Sequence, residues 1–326
     1  SFNKFGVNQI NASRGLGVGP WRSFFKIAFP MALPALITGI SLMCMEVMNE
    51  LGTFALLNIP SISTGIAENW IIEGNPKSAI GLSLVALLMI FTLIIFEKLS
   101  RRKSKRWSEN PASKDSQGWE LNKTRAFLAI IISLFPPIFS FGIPCFWVLL
   151  NIDLIQKGLS IELLSLSLRT ISLGLLTALI AMLFSLIISL VRRANKSFLL
   201  GLITNLAGIG YAIPGTVLAL SLISISSSKF NFIAICLLIW GYLVRFLTIS
   251  KGSIDSSLER ISPSLDEAAL GLGENWLGII KRIHLPLLQG PIFVGSLLVF
   301  VDTIKELPIT FILRPFDFDT LSVRIY

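Results

Sequence analysis

The chain has 326 residues, of which 53% are hydrophobic and 14% charged, with a mean hydropathy of +0.75 and a formal net charge of +9. A soluble domain usually carries about 25% charged residues, so this composition excludes an ordinary soluble globule and points to an integral membrane protein. The positive balance is compatible with a nucleic-acid partner or with inward-facing membrane loops until its distribution along the chain is known.

A bilayer core of about 30 Å takes about 20 apolar residues as helix. In chain order the apolar runs predict spans at 27–48, 79–96, 126–150, 163–191, 198–225, 231–249 and 285–304. The first polar segment, 1–26, holds NASRGLGVGPWRSFFKIAFP at 11–30. Its GLGVG follows no strand and has no GK[ST] tail, so it is not a phosphate loop. The first span ends on Glu46 and Glu50, four apart and expected on one helix face. After the second span comes the basic run KLSRRKSKRW at 98–107, then SENPASKDSQG, which reads as a flexible linker. The fifth span is interrupted by GYAIPG at 210–215, where Pro214 removes a backbone donor between Gly210 and Gly215. Tyr211, Pro214 and Gly215 there either line a path or simply pack a kink. The last span ends on Asp302 and Glu306, spaced like the earlier pair. Acids at such outer ends could meet a released cation, or could merely terminate the span in water.

Lys and Arg fix the topology. With 1–26 placed inside and the spans alternating, the inner loops hold 21 of the 28 basic residues, counting Arg245 at the inner end of its helix; the other side holds 7. This three-to-one bias explains the net charge and removes the nucleic-acid reading. Cys44, Cys145 and Cys236 lie in apolar runs without CxxC spacing and read as inert thiols. The single histidine, His284, cannot build a metal site alone. No catalytic cluster emerges and no cofactor is expected.

An internal repeat organises the chain. Shifted by 256, residues 11–30 align without a gap on EAALGLGENWLGIIKRIHLP at 267–286. Gly15, Leu16, Gly17, Ile27 and Pro30 match Gly271, Leu272, Gly273, Ile283 and Pro286. The register continues through Gly39 on Gly295, Glu46 on Asp302, Glu50 on Glu306, Leu51 on Leu307 and Thr64 on Thr320. Six spans separate the two starts, so the copies run parallel about an axis along the membrane normal. The expected organisation is the later part of one repeat at 1–97, a basic linker at 98–125, and a second repeat at 126–326. The same offset expects four further helices before Ser1 and one after Tyr326, twelve in all, of which about seven are here.

The second copy meets a fixed pattern: Glu267, Ala268 and Ala269, then Gly273, Ile283, Leu285 and Pro286. Ser262 with Pro263 makes a good helix start, and Ser264 with Glu267 is the alternative capping pair. Alanines keep one face small, and Gly271 and Gly273 end the helix. The result is a short stiff helix suited to a groove. This pattern resembles the EAA loop of binding-protein-dependent ABC importer permeases. The first copy departs from it, with Asn11, Ala12 and Ser13 for Glu-Ala-Ala and Phe29 for Leu. The GYAIPG segment and KELPITFILRPFDFDTLSVRIY at 305–326 are similar to the iron(III) branch of that family.

The resemblance implies an all-α integral membrane protein, a polytopic transmembrane helix bundle built as a tandem parallel repeat of two permease domains in a bacterial inner membrane. It implies two separate ATPase subunits, one on each coupling loop, since the chain has no Walker motif. It further implies a periplasmic binding protein delivering ferric iron. The docking residues would be Asn11, Ala12, Gly17, Pro30, Glu267, Ala268, Ala269, Gly273 and Pro286. Another substrate of the same importer type (a polyamine, thiamine or a different metal) is the alternative. A secondary transporter would use repeats and kinked helices too, but gives no reason for two docking loops.

Overall fold

In a computed structural model of the chain, the structure describes residues 12–13, 15–104, 122–153, 161–195, 197–225 and 231–326. Asn11 and most of the basic linker, 105–121, lie outside these residues. The described residues form helices and turns without strands. The main helices are α1 (Phe29–Asn49), α2 (Gly52–Leu56), α3 (Ile62–Ala67), α4 (Pro76–Ser104) and α5 (Lys123–Pro137). They are followed by α6 (Ile161–Ala194), α7 (Phe198–Ala207), α8 (Gly215–Ile225) and α9 (Asn231–Leu258). Last come α10 (Pro263–Gly271), α11 (Leu285–Lys305), α12 (Pro308–Leu313) and α13 (Leu321–Ile325).

Among the described residues, five helical stretches are long and apolar enough to cross a membrane: Pro76–Phe96, Lys123–Leu150, Ile161–Ala194, Ile233–Leu258 and Trp276–Lys305. The run expected as one span at 198–225 is two helices bent by 111°. The physical reason is local. Pro214 cannot donate to the preceding turn, and the chain passes through a 3-10 turn at Gly210–Ala212 before α8 begins at Gly215. The sixth predicted span also runs further than its apolar composition suggested, to Leu258 instead of 249. Its polar end, SKGSIDSSL, stays helical because Ser257 donates to the Ser253 carbonyl, Ser253 donates to the Pro291 carbonyl of α11, and Lys251 pairs with Asp255.

The chain divides into two compact units, Ser1–Ser41 with Ile94–Leu164, and Leu42–Leu93 with Ser165–Tyr326. In the first, α5 continues through a π-helical turn to Leu150, and none of its residues is buried. In the second, α6 buries Leu166, Thr170, Leu173, Gly174, Thr177, Ala178, Ala181, Met182 and Ser185 at helical spacing. Small residues permit close helix contact there: a Cβ on Gly174 would stand 3.0 Å from Phe300, and one on Gly295 would stand 2.7 Å from Met182. Hydroxyl bonds join α6 to α9, Ser185 to Ser250 at 2.5 Å and Ser189 to Asp255 at 2.5 Å.

A run of elements recurs 256 residues further on. A four-residue helix Pro20–Ser23, a π-helical turn Phe24–Ala28 and α1 are followed at that spacing by Trp276–Ile279, Ile280–His284 and α11. Gly17 and Gly273 both take positive φ, +83° and +89°.

Candidate functional site

Two polar sites lie in this frame, one beside the broken helix and one around α10. The first is assembled within the larger unit from the ends of α1 and α11, the turn 210–215 and the middle of α9. Glu46 is brought to Tyr211, whose hydroxyl donates to Oε2 at 2.6 Å. Lys305 Nζ bonds both Glu46 and Asp302 at 3.0 Å. Arg245 donates to Glu306 Oε1 at 3.3 Å, with the two residues only 2% and 5% exposed. The Arg245 guanidinium also lies over the Tyr211 ring, 5.7 Å from its centre. Asn49 accepts the Gly215 N–H at 2.6 Å, so the end of α1 satisfies the first amide of α8. Thr248 caps the freed Ala207 carbonyl of α7 at 3.1 Å and receives the Tyr211 N–H.

Glycine is required at both edges of this turn by close approach. A Cβ on Gly210 would fall on the Val244 carbonyl, and one on Gly215 would stand 2.6 Å from Arg245 and 2.8 Å from Glu306.

Several expectations need correcting. Arg245 is not at the inner end of its helix; it is buried mid-helix, where burial is tolerable because Glu306 faces it. Nor do Glu46 with Glu50, and Asp302 with Glu306, share helix faces. α1 ends at Asn49 and α11 at Lys305. Glu50 and Glu306 instead turn to the next helix, where each accepts a backbone N–H, from Thr53 at 3.0 Å and from Ile309 at 3.2 Å. A carboxylate at a helix start is favoured by the unsatisfied amides there. Thus Glu46, Tyr211, Asp302, Glu306, Pro214 and Gly215 converge, while Glu50 caps its own segment. Arg245, Lys305 and Asn49 were missed as members. An isolated cation in an apolar run was the available signal for Arg245, since such a charge needs a partner, and the neighbouring Asp302 and Glu306 were the signal for Lys305.

The second site is the loop 262–286. Ser262 caps α10 with Pro263 at its first position, so this start is used and not the Ser264–Glu267 pair. Gly271 is still helical, and Gly273 makes the left-handed turn. Glu267, Ala268 and Pro286 are exposed, and Ala269 is buried. Asp266 is buried, bonded to Arg193 at 2.6 Å and His284 at 2.9 Å. Burial pushes its carboxyl up, but the bonds from Arg193 and His284 outweigh that and hold it below the ordinary carboxylate range. In the first loop Ala12, Gly17 and Pro30 are exposed. Among the described residues no group of three metal-ligating side chains occurs.

Multiple apolar helices, a broken helix beside a buried ion pair and short exposed helices outside the spans describe a polytopic membrane protein. Residues 4–105 match the family described as binding-protein-dependent transport system inner membrane component. Over 324 residues, 96% of its length, the chain is 27% identical to the Fe(3+)-transport system permease protein FbpB 2 of Haemophilus influenzae (strain ATCC 51907 / DSM 11121 / KW20 / Rd). It covers 63% of that relative, less than two thirds of its length. Both similarities are to membrane components of transport systems.

Proposed function

We propose that the chain forms the membrane path of an ABC importer that takes ferric iron from a periplasmic binding protein and passes it into the cytoplasm. Separate ATPase subunits supply the energy and dock on the loops 8–19 and 264–275, in an inner membrane. The observation that carries this reading is the similarity over 96% of the chain to a permease named for Fe(3+) transport. The exposed short helix α10, carrying Glu267 and Ala268, supports the docking role. The cluster of Glu46, Tyr211, Arg245, Asp302, Lys305 and Glu306 is the gate of the path. Its three acids share two cations, with Lys305 bridging Glu46 and Asp302, so no more than one uncompensated negative charge meets a passing cation, and transit demands weak binding.

The test is uptake into vesicles carrying the intact permease, its ATPase and the neighbouring binding protein. Ferric iron should accumulate when the binding protein is present. Accumulation of putrescine, thiamine or a different metal in place of iron would replace the substrate while leaving the importer class standing.

A further inference from the structure

The polar cluster at the head of α10 goes beyond what a docking surface requires. Of the α10 residues, only Asp266 and Ala269 are buried. Both carboxylate oxygens of Asp266 are taken by side chains from other elements. Oδ2 accepts from Arg193 Nε at 2.6 Å, and Oδ1 meets His284 Nε2 at 2.9 Å. Arg193, in the last turn of α6, uses its remaining nitrogens on backbone oxygens at the end of α9. These are Leu258 at 2.7 Å, Ile261 at 3.0 Å and Ser262 at 3.4 Å. His284 is fully buried and closes the π-helical turn that leads into α11. One carboxylate therefore ties α10 to the ends of α6, α9 and α11.

We infer that Asp266, with Arg193 and His284, forms a latch that makes α10 and these three helix ends move as one piece. Asp266 is thus a positioning residue for coupling ATP hydrolysis to transport. The inference rests on the reading that α10 carries an ATPase. A docking helix transmits a displacement only if it cannot pivot on its own flanks, and charge-assisted bonds to both oxygens fix its direction as well as its distance. The latch belongs to one loop. At the repeat spacing Asp266 and His284 correspond to Ile10 and Ala28, neither of which can ionise. The first loop closes differently, with buried Ser13 and Ser23 sharing a hydroxyl bond of 2.5 Å where the second has Ala269 and Ile279. The two loops thus hold equivalent positions with different chemistry, and ion-pair variants separate them.

The test uses the full-length permease, with native cysteines replaced, assembled with its ATPase in vesicles and supplied with ferric-loaded binding protein. An Ala268→Cys cross-link reports ATPase docking, and iron moved per ATP hydrolysed reports coupling. Asp266→Asn and Arg193→Gln should each keep the cross-link but lower iron per ATP about tenfold, because a buried charge loses its partner. The double variant should fall no further than the worse single one, since both act on one latch. His284→Gln, whose amide can still donate to Asp266, should retain most coupling, and His284→Ala should lose it. If Asp266→Asn fails to assemble, the His284 pair decides on its own. A retained cross-link with unchanged iron per ATP in Asp266→Asn, or equal coupling in the two His284 variants, overturns the latch and leaves docking intact. No cross-link in the otherwise unaltered protein overturns the docking reading and the latch with it.

Discussion

Arg245 and Glu306 are almost fully buried, and Gly215 runs against both. Removing one partner strands the other charge, so Arg245→Ala should lower stability by about 3–5 kcal/mol. Gly215→Ala should destabilise in the same direction, because its new methyl group would stand 2.6 Å from the guanidinium and 2.8 Å from the carboxylate and displace the buried pair. Thermal unfolding of the detergent-solubilised protein checks both; an Arg245→Ala melting curve unchanged from the parent would mean the pair contributes nothing. Asp266 makes a pH statement. Its carboxyl is held below its ordinary value, so its stabilising contribution is fully present above about pH 4, the unfolded value. It is lost only as pH falls through the lower folded value. The advantage in transport per ATP of the parent over Asp266→Asn should therefore stay constant between pH 7 and pH 5; loss of that advantage in this window would contradict the pairing. At this scale the sequence was partly legible. Glu46, Tyr211 and Asp302 were readable from residue type and place. Arg245 was misplaced because its partner lies 61 positions away, and a lone cation in an apolar run does not say which end of the membrane it serves.

Among the elements, the two loops proposed to dock the ATPase carry the most information in sequence. Their glycine spacing and the Leu-Pro entry to the next helix are local features, and the left-handed turns at Gly17 and Gly273 follow from them. No atom lies within 4 Å of a Cβ built on either glycine, so an alanine there meets only backbone strain. Gly17→Ala and Gly273→Ala should each cost about 1 kcal/mol and loosen ATPase docking, measured as retention of the ATPase on immobilised permease. Retention equal to the parent in both would mean the turn does not aim the helix. The broken helix was less legible. Pro214 between glycines predicts a kink, but a bend of 111° depends on partners supplied from elsewhere, namely Asn49 on the Gly215 amide and Thr248 on the Ala207 carbonyl. Likewise α9 reaches Leu258 because hydroxyl and ion-pair contacts satisfy its polar end, which hydropathy alone ends too early.

For the whole molecule, the 256-residue register was visible because a repeat preserves spacing even where residue types drift. The short helix, the π-helical turn and the 21-residue helix recur at that spacing. Two halves with a docking loop each predict that one intact chain binds two ATPase subunits. Mass measurement of the purified complex should give that ratio, and one ATPase per chain would contradict it. The central claim is that ATP hydrolysed by a partner drives the movement. Uptake of ferric iron into vesicles should therefore stop when the partner ATPase carries a hydrolysis-dead substitution, and should persist when ionophores collapse every ion gradient. Uptake that survives the dead ATPase and disappears with the gradient would make the protein a secondary transporter and contradict the account.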